Sequence, residues 1–180
     1  EICKRHNVLV IADEIHCDLM MPGVTFFPWG LLGDDLVDNA IICTAPSKTF
    51  NLAGMHLSNM VIPNKDLHQA YDAYMAKIGV AGGLNPLATT AVEAAYTGGE
   101  DWLEQVLSYI HANHLRLQDF MASEMPAVKV YDLEGTYLNW MDFRGLGLGR
   151  NELEDYAQLN AKVLFDEGYI FGDEGDGFER

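Results

Sequence analysis

The sequence predicts an α/β fold: a mostly parallel sheet under helices, joined by a long helix to a smaller α+β unit. Three observations predict it. VLVIADEI (8-15) is a continuous apolar, β-branched run ending in acids, the pattern of a strand buried on both faces of a parallel sheet. NAIICTA (39-45) and HLSNMVI (56-62) follow as two further short apolar runs. EDWLEQVLSYIHANHLRLQDFMASEM (100-125) then carries apolar residues at three- and four-residue steps, the period of a helix.

The opening EICKRHN reads as the tail of a helix feeding the first strand, not as a native start. A loop punctuated by Gly and Pro runs from Met21 to about Asp38. Pro63 closes the third apolar run. The next stretch, 64-77, has helical spacing with Asn64 as N-cap. GVAGGLNP (79-86) is a flexible break, and a helix starts near Pro86, runs to about Tyr96 and is broken by Gly98 and Gly99. In the long helix Trp102, Leu103, Val106, Leu107, Ile110, Leu117 and Phe120 form the apolar stripe, and Pro126 ends it. AVKVYDL (127-133), YLNWMDF (137-143), a helix over about 151-166 and YIF (169-171) make the smaller unit. The expected organisation is 1-99 as part of a large domain, 100-125 as connecting helix and 126-180 as a small, incomplete C-terminal domain.

The chain of 180 residues is 49% hydrophobic and 21% charged, enough for a sizeable core. Its net charge is -16, from 27 Asp and Glu against 11 Lys and Arg. A field of that sign repels nucleic acid and anionic membrane surfaces. Cys3, Cys17 and Cys43 show no metal-ligand spacing. Cys17 and Cys43 lie in or beside apolar runs, as reduced core residues of a cytosolic protein do. No run has the length of a membrane span, and the N-terminus lacks the layout of a signal peptide, so the expected location is cytoplasmic. His111 and His114 stand three apart on one helix with no third ligand, and read as solvent-facing.

Two short motifs carry chemistry. In ADEIHCDL (12-19), Asp13 stands where the first strand gives out, and open α/β sheets gather functional groups at the carboxyl ends of strands. Alone, such an acid is as well explained as a turn residue. In TAPSKTFNLAG (44-54), Lys48 follows the second strand, also at its carboxyl end. Ala45, Pro46, Ser47, Thr49, Ala53 and Gly54 leave room for a flat ring, and Thr44, Ser47 and Thr49 offer hydroxyls to a phosphate. Alone, Lys48 reads as a surface lysine. Together, the two motifs present a carboxylate and an amine on one sheet edge, and a lysine can attack carbonyls.

DEIHxDL followed by an apolar strand and APSKTFNLAG resembles the fold-type I enzymes that use pyridoxal 5'-phosphate (PLP). More narrowly it resembles the class I/II aminotransferase family, in the branch containing MalY/PatB-type cystathionine β-lyases. GLNPLATTAVEAAYTGGEDWL, EGTYLNWMDFRGLG and the terminal GDGFER extend the resemblance over essentially the whole chain. It implies that Lys48 holds PLP covalently and moves the substrate's α-proton. It implies that Asp13 faces the pyridine nitrogen, that His16 lies near the cofactor's 3'-oxygen, and that Ser47 lies near the phosphate or orients the lysine. Two positions depart from many aminotransferases: Ala45 replaces a phosphate-binding serine and His56 a phosphate-binding arginine. Phosphate contacts then fall to Thr44, Ser47 or residues outside this chain.

The resemblance further implies a longer enzyme, with this chain a central-to-C-terminal piece that is inactive by itself, and a homodimer acting on a small-molecule amino-acid substrate. Arg180 matches the neighbour of the family's substrate-carboxylate arginine, not that arginine. Gly135, Thr136 and Tyr137 match a strand near the active-site mouth, and VTFFPWG (24-30) a loop near the entrance and dimer contact. Read without the family, Trp102, Trp140 and these aromatics are core or interface. The expected activity is PLP-dependent carbon-sulfur β-elimination, with cystathionine or a cysteine conjugate giving pyruvate, ammonia and a thiol. An aminotransferase on the same scaffold is the alternative, and a non-catalytic regulatory domain of this fold a further one. DEIH in place of DEVY favours the lyase.

Overall fold

The computed structural model describes residues 1-80 and 83-172. The chain divides into two compact units, Glu1–Ser108 and Tyr109–Arg180.

The first unit opens with the helical turn α1 (Ile2–Arg5) and strand β1 (Val10–Asp13). The turn α2 (Asp34–Val37) precedes β2 (Ala40–Thr44), which runs directly into the turn α3 (Pro46–Thr49). Strand β3 (Asn59–Val61), α4 (Lys65–Lys77) and α5 (Pro86–Gly98) follow. The sheet order is β1-β2-β3. β1 and β2 are parallel, in register from Val10 opposite Ala40 to Asp13 opposite Cys43. β3 is antiparallel to β2, with Ile42 opposite Val61. The central strand is the buried one: Ala40, Ile41 and Ile42 join Leu19 and Met21 in the core.

Asn64 caps α4 as expected, its Oδ1 accepting from Leu67 N at 2.9 Å. Asn85 does the same for Leu87 N in α5, where Pro86 occupies the first turn. Part of the break expected over 79-86 lies outside the described residues.

Several expectations need correction. β1 is shorter than 8-15 and not buried on both faces: Ile11 is 67% exposed. Among the described residues it pairs with β2 alone. Cys17 and Cys43 are free but only half-buried, not core. Trp102, on the predicted stripe of the long helix, is largely exposed on one side and packs its other side against Phe50.

The long helix α6 (Glu100–Glu124) runs through the division between the units. In the second unit the side chains that α6 buries fully are His114 and Met121, while Phe120 is exposed. His114, expected to face solvent, is 3% exposed. Its Nε2 accepts from Leu133 N at 3.3 Å and its Nδ1 lies 2.6 Å from Asn139 Oδ1. A backbone N–H can only donate, so the ring proton sits on Nδ1 and is given to Asn139.

β4 (Lys129–Val130) and β5 (Met141–Asp142) pair antiparallel. Beyond β5, Arg144 Nε reaches both oxygens of the buried Asp142 carboxylate at 2.9 and 3.0 Å, and its Nη2 binds Oδ2. The helix expected over 151-166 is shorter. α7 (Arg150–Asp155) widens into a π-type turn, Tyr156–Ala161, and Lys162 ends it with a left-handed φ of 56°. YIF lies in a 3-10 turn, Gly168–Phe171. GDGFER and Arg180 lie outside the described residues.

Candidate active site

The parallel pairing of β1 and β2 fixes where the two motifs meet. Asp13 is the last residue of β1 and stands opposite Cys43 near the end of β2. Glu14 N continues the ladder to Cys43 O at 2.8 Å, after which the β1 chain turns away through two successive turns. β2 ends at Thr44. Ala45 is extended, Pro46 starts α3 with its preset φ, and Lys48 lies within that one turn. A carboxylate and an amine thus leave adjacent parallel strands at the same carboxyl edge.

Both groups are exposed and available. Asp13 Oδ1 accepts from Ile15 N at 3.2 Å, and its other oxygen takes no hydrogen bond among the described residues. No hydrogen bond or ion pair among the described residues involves the Lys48 amine. Thr44 and Ser47 are half-buried. The Thr44 hydroxyl accepts from Asn59 Nδ2 at 3.3 Å, which leaves its own proton to donate. His16 is half-buried in the turn after β1. His56 is exposed in a left-handed conformation, φ 52°.

Thr49 does not offer its hydroxyl to a phosphate. It is 1% exposed and its Oγ1 donates to Asp18 Oδ2 at 2.9 Å. Sequence reasoning missed this tie and two others. Glu14 Oε1 accepts from Trp29 N at 2.6 Å, fastening the aromatic loop to the end of β1. The Phe50 ring sits 5.4 Å from Tyr96, edge to face, and 5.9 Å from Trp102. Each joins residues far apart in the chain, so no local spacing announces it. The available signal was an acid beyond Asp13 in DEIHCDL with no role of its own.

Residues 1–176 match the model of the family "Aminotransferase class I and II". The chain belongs to that family. Over 180 residues it is 40% identical to cystathionine beta-lyase PatB of Bacillus subtilis (strain 168), covering all of this chain and 46% of that protein. It is 33% identical to protein MalY of Escherichia coli (strain K12), covering 45% of it. Among solved structures, cystalysin of Treponema denticola, which contains a pyridoxal 5'-phosphate cofactor, superposes with a TM-score of 0.90 at 36% identity. That match covers 98% of this chain and 44% of cystalysin. The chain therefore has part of the PLP-dependent fold type I architecture and spans about half the length of the curated relatives it matches.

The donor set of this aminotransferase-family chain suits a cofactor with an aldehyde, a protonated ring nitrogen and a phosphate. A free primary amine can bond an aldehyde. A carboxylate oxygen without a partner can accept from a ring N–H. Half-buried hydroxyls can donate to phosphate oxygens.

Proposed function

We propose that the full-length protein is a PLP-dependent carbon-sulfur β-lyase, converting cystathionine or a cysteine conjugate to pyruvate, ammonia and a thiol. The observation that carries this is the Lys48 amine, without a hydrogen bond or ion pair among the described residues, at the strand end adjacent to that of the exposed Asp13 carboxylate, in a chain similar along its whole length to a cystathionine β-lyase. Residues 1-99 belong to the large PLP-binding domain, 100-125 is the connecting helix and 126-180 is part of the small domain. The protein is a cytoplasmic homodimer.

Lys48 would be the residue that holds PLP covalently, through Nζ. When bound, PLP supplies a sink for the electron pair left as the α-proton departs. Lys48 Nζ would be the base that takes that proton, and it would stand ready to pass it to the leaving thiolate. Asp13 keeps the ring nitrogen protonated by accepting its hydrogen bond. Ser47 and Thr44 donate to the phosphate, and His16 lies beside the 3'-oxygen.

The test supplies full-length protein with PLP and L-cystathionine and follows pyruvate and free thiol. The two should appear in step and vanish in Lys48→Ala. Amino transfer to an added keto acid, with neither product formed, favours the aminotransferase. Silence in both assays, with partner binding intact in Lys48→Ala, favours a regulatory domain of this fold.

A further inference from the structure

The Lys48 side chain touches no partner among the described residues that could aim it, so its direction is set by the turn that carries it. That turn is short. α3 is a single turn, closed by Phe50 N to Pro46 O at 2.9 Å and followed by Leu52 N to Ser47 O at 3.1 Å. One turn of helix has no stability of its own. It holds its orientation only through what its side chains grip. Ahead of Lys48 the grip is the buried strand β2, with Ala45 and Pro46 also buried. Behind it the grip is Thr49 and Phe50.

Thr49 is the polar part of that grip. Its hydroxyl is sealed from water and must find an acceptor. The acceptor is a carboxylate, Asp18 Oδ2 at 2.9 Å, from the turn that follows β1. A hydroxyl–carboxylate bond is about twice as strong as a neutral one. Its other oxygen accepts only a weak bond, from Cys17 Sγ at 3.6 Å. Burial first, and the Asp18 charge second, push the Cys17 thiol up to about 11. The Tyr96 hydroxyl is pushed up by burial first and then by Asp18 and Cys17, and its ring packs edge to face on Phe50 at 5.4 Å. One carboxylate therefore joins the segment after Asp13 to the segment carrying Lys48.

We propose that Asp18 is a positioning residue: through the Thr49 hydroxyl it sets the orientation of the turn that presents the Lys48 amine. This rests on the PLP reading above. Asp18 touches no reacting atom and acts through Thr49 alone. Reacting groups lose much of their rate when displaced by about 1 Å, so a loosened turn is felt in cofactor chemistry before it is felt in folding.

The experiment uses full-length protein reconstituted with PLP. The variants are Thr49→Val and Asp18→Asn, which keep shape and remove the charged bond, and Thr49→Ser, which keeps the hydroxyl. Cys17→Ala removes only the other bond to Asp18. For each, the visible cofactor absorption is titrated against pH, PLP affinity is measured, borohydride-trapped PLP is mapped to Lys48 by mass spectrometry, and Tm is recorded. The expected result for Thr49→Val and Asp18→Asn is a shift of the absorption midpoint by about half a pH unit or more. PLP binding should weaken about tenfold, near 1.4 kcal/mol. Thr49→Ser and Cys17→Ala should stay at the wild-type midpoint. A lowered Tm with wild-type midpoint and affinity overturns the proposal, because the bond is then structural only. So does a Thr49→Ser variant that loses as much as Thr49→Val. If the wild-type protein itself traps no PLP at Lys48, the PLP reading fails and takes this proposal with it.

Discussion

Replacing His114 by Phe should loosen the segment 133-139 and lower stability by about 1–2 kcal/mol. The ring is 3% exposed, and Phe fills nearly the same space, so burial is kept while both hydrogen bonds are lost. Each such bond is worth about 0.5–1.5 kcal/mol net. The Asn139 bond belongs at the low end, because Asn139 is exposed and water replaces the ring. The Leu133 bond belongs at the high end, because a half-buried N–H is left without its acceptor. With a urea dependence of about 2 kcal/mol per molar, the unfolding midpoint should fall by roughly 0.5–1 M. Hydrogen exchange at Leu133 should quicken. His114→Gln is the internal control: its amide oxygen can take the Leu133 N–H, and it should recover about half of the loss. A Phe variant at the wild-type midpoint, with Leu133 exchange unchanged, would refute the account of His114 as the clasp on both ends of this segment.

Other outcomes follow from particular contacts. Gly145→Ala should destabilise the second unit by about 1–3 kcal/mol in the same urea assay, since a Cβ there would overlap the Ala127 carbonyl oxygen, and backbone cannot move as a side chain can. Cys17 should alkylate at pH 8 about a hundredfold more slowly than an ordinary thiol, because a pKa raised from 9.0 to about 11 leaves a hundredth of the thiolate. Its rate should keep rising tenfold per pH unit up to about 11, measured with iodoacetamide and peptide mapping. Glu167 has its carboxyl held above the usual 4.5 by burial and then by the Glu154 charge. Its stabilising contribution is present below pH 4.5 and lost as pH rises through the folded value, so Glu167→Gln should gain on wild type at neutral pH and match it near pH 4, in thermal melts.

What the sequence made legible was local, and what it hid was long-range. β2 declares itself because Ala40, Ile41 and Ile42 are buried and nothing polar interrupts them. Asn64 declares its helix because an N-cap bonds a backbone N–H three residues on, and Pro86 declares the next because its fixed φ suits a first turn. The end of α7 was misjudged because AKVLF continues an apolar pattern past Lys162, where a positive φ stops the helix. β1 was read as too long and too buried because an apolar run records the environment a strand needs, whereas the neighbours covering it lie elsewhere in the sequence. His114 gave no signal, since a buried histidine differs from an exposed one only by partners 19 and 25 residues away. The same applies to Asp18 and Thr49, separated by 31 residues.

Lys48 and His114 stand at opposite ends of one physical scale. Both ring nitrogens of His114 are committed, one donating and one accepting, so that side chain has no capacity left for chemistry and its whole effect is to hold backbone. Lys48 has the reverse arrangement: its own amine is uncommitted among the described residues, while Thr49 and Phe50 beside it are committed to Asp18, Tyr96 and Trp102. A reactive amine needs both conditions together. If it were bonded itself, each reaction would first have to break that bond. If its neighbours were free, ordering the turn would cost entropy at every encounter, about 1–2 kcal/mol per residue fixed. Anchoring the neighbours in the folded state removes that cost from the encounter while leaving Nζ unspent. On this physics the residues that prepare a lysine for reaction are found among the partners of the residues flanking it, and here that route leads from Lys48 through Thr49 to Asp18.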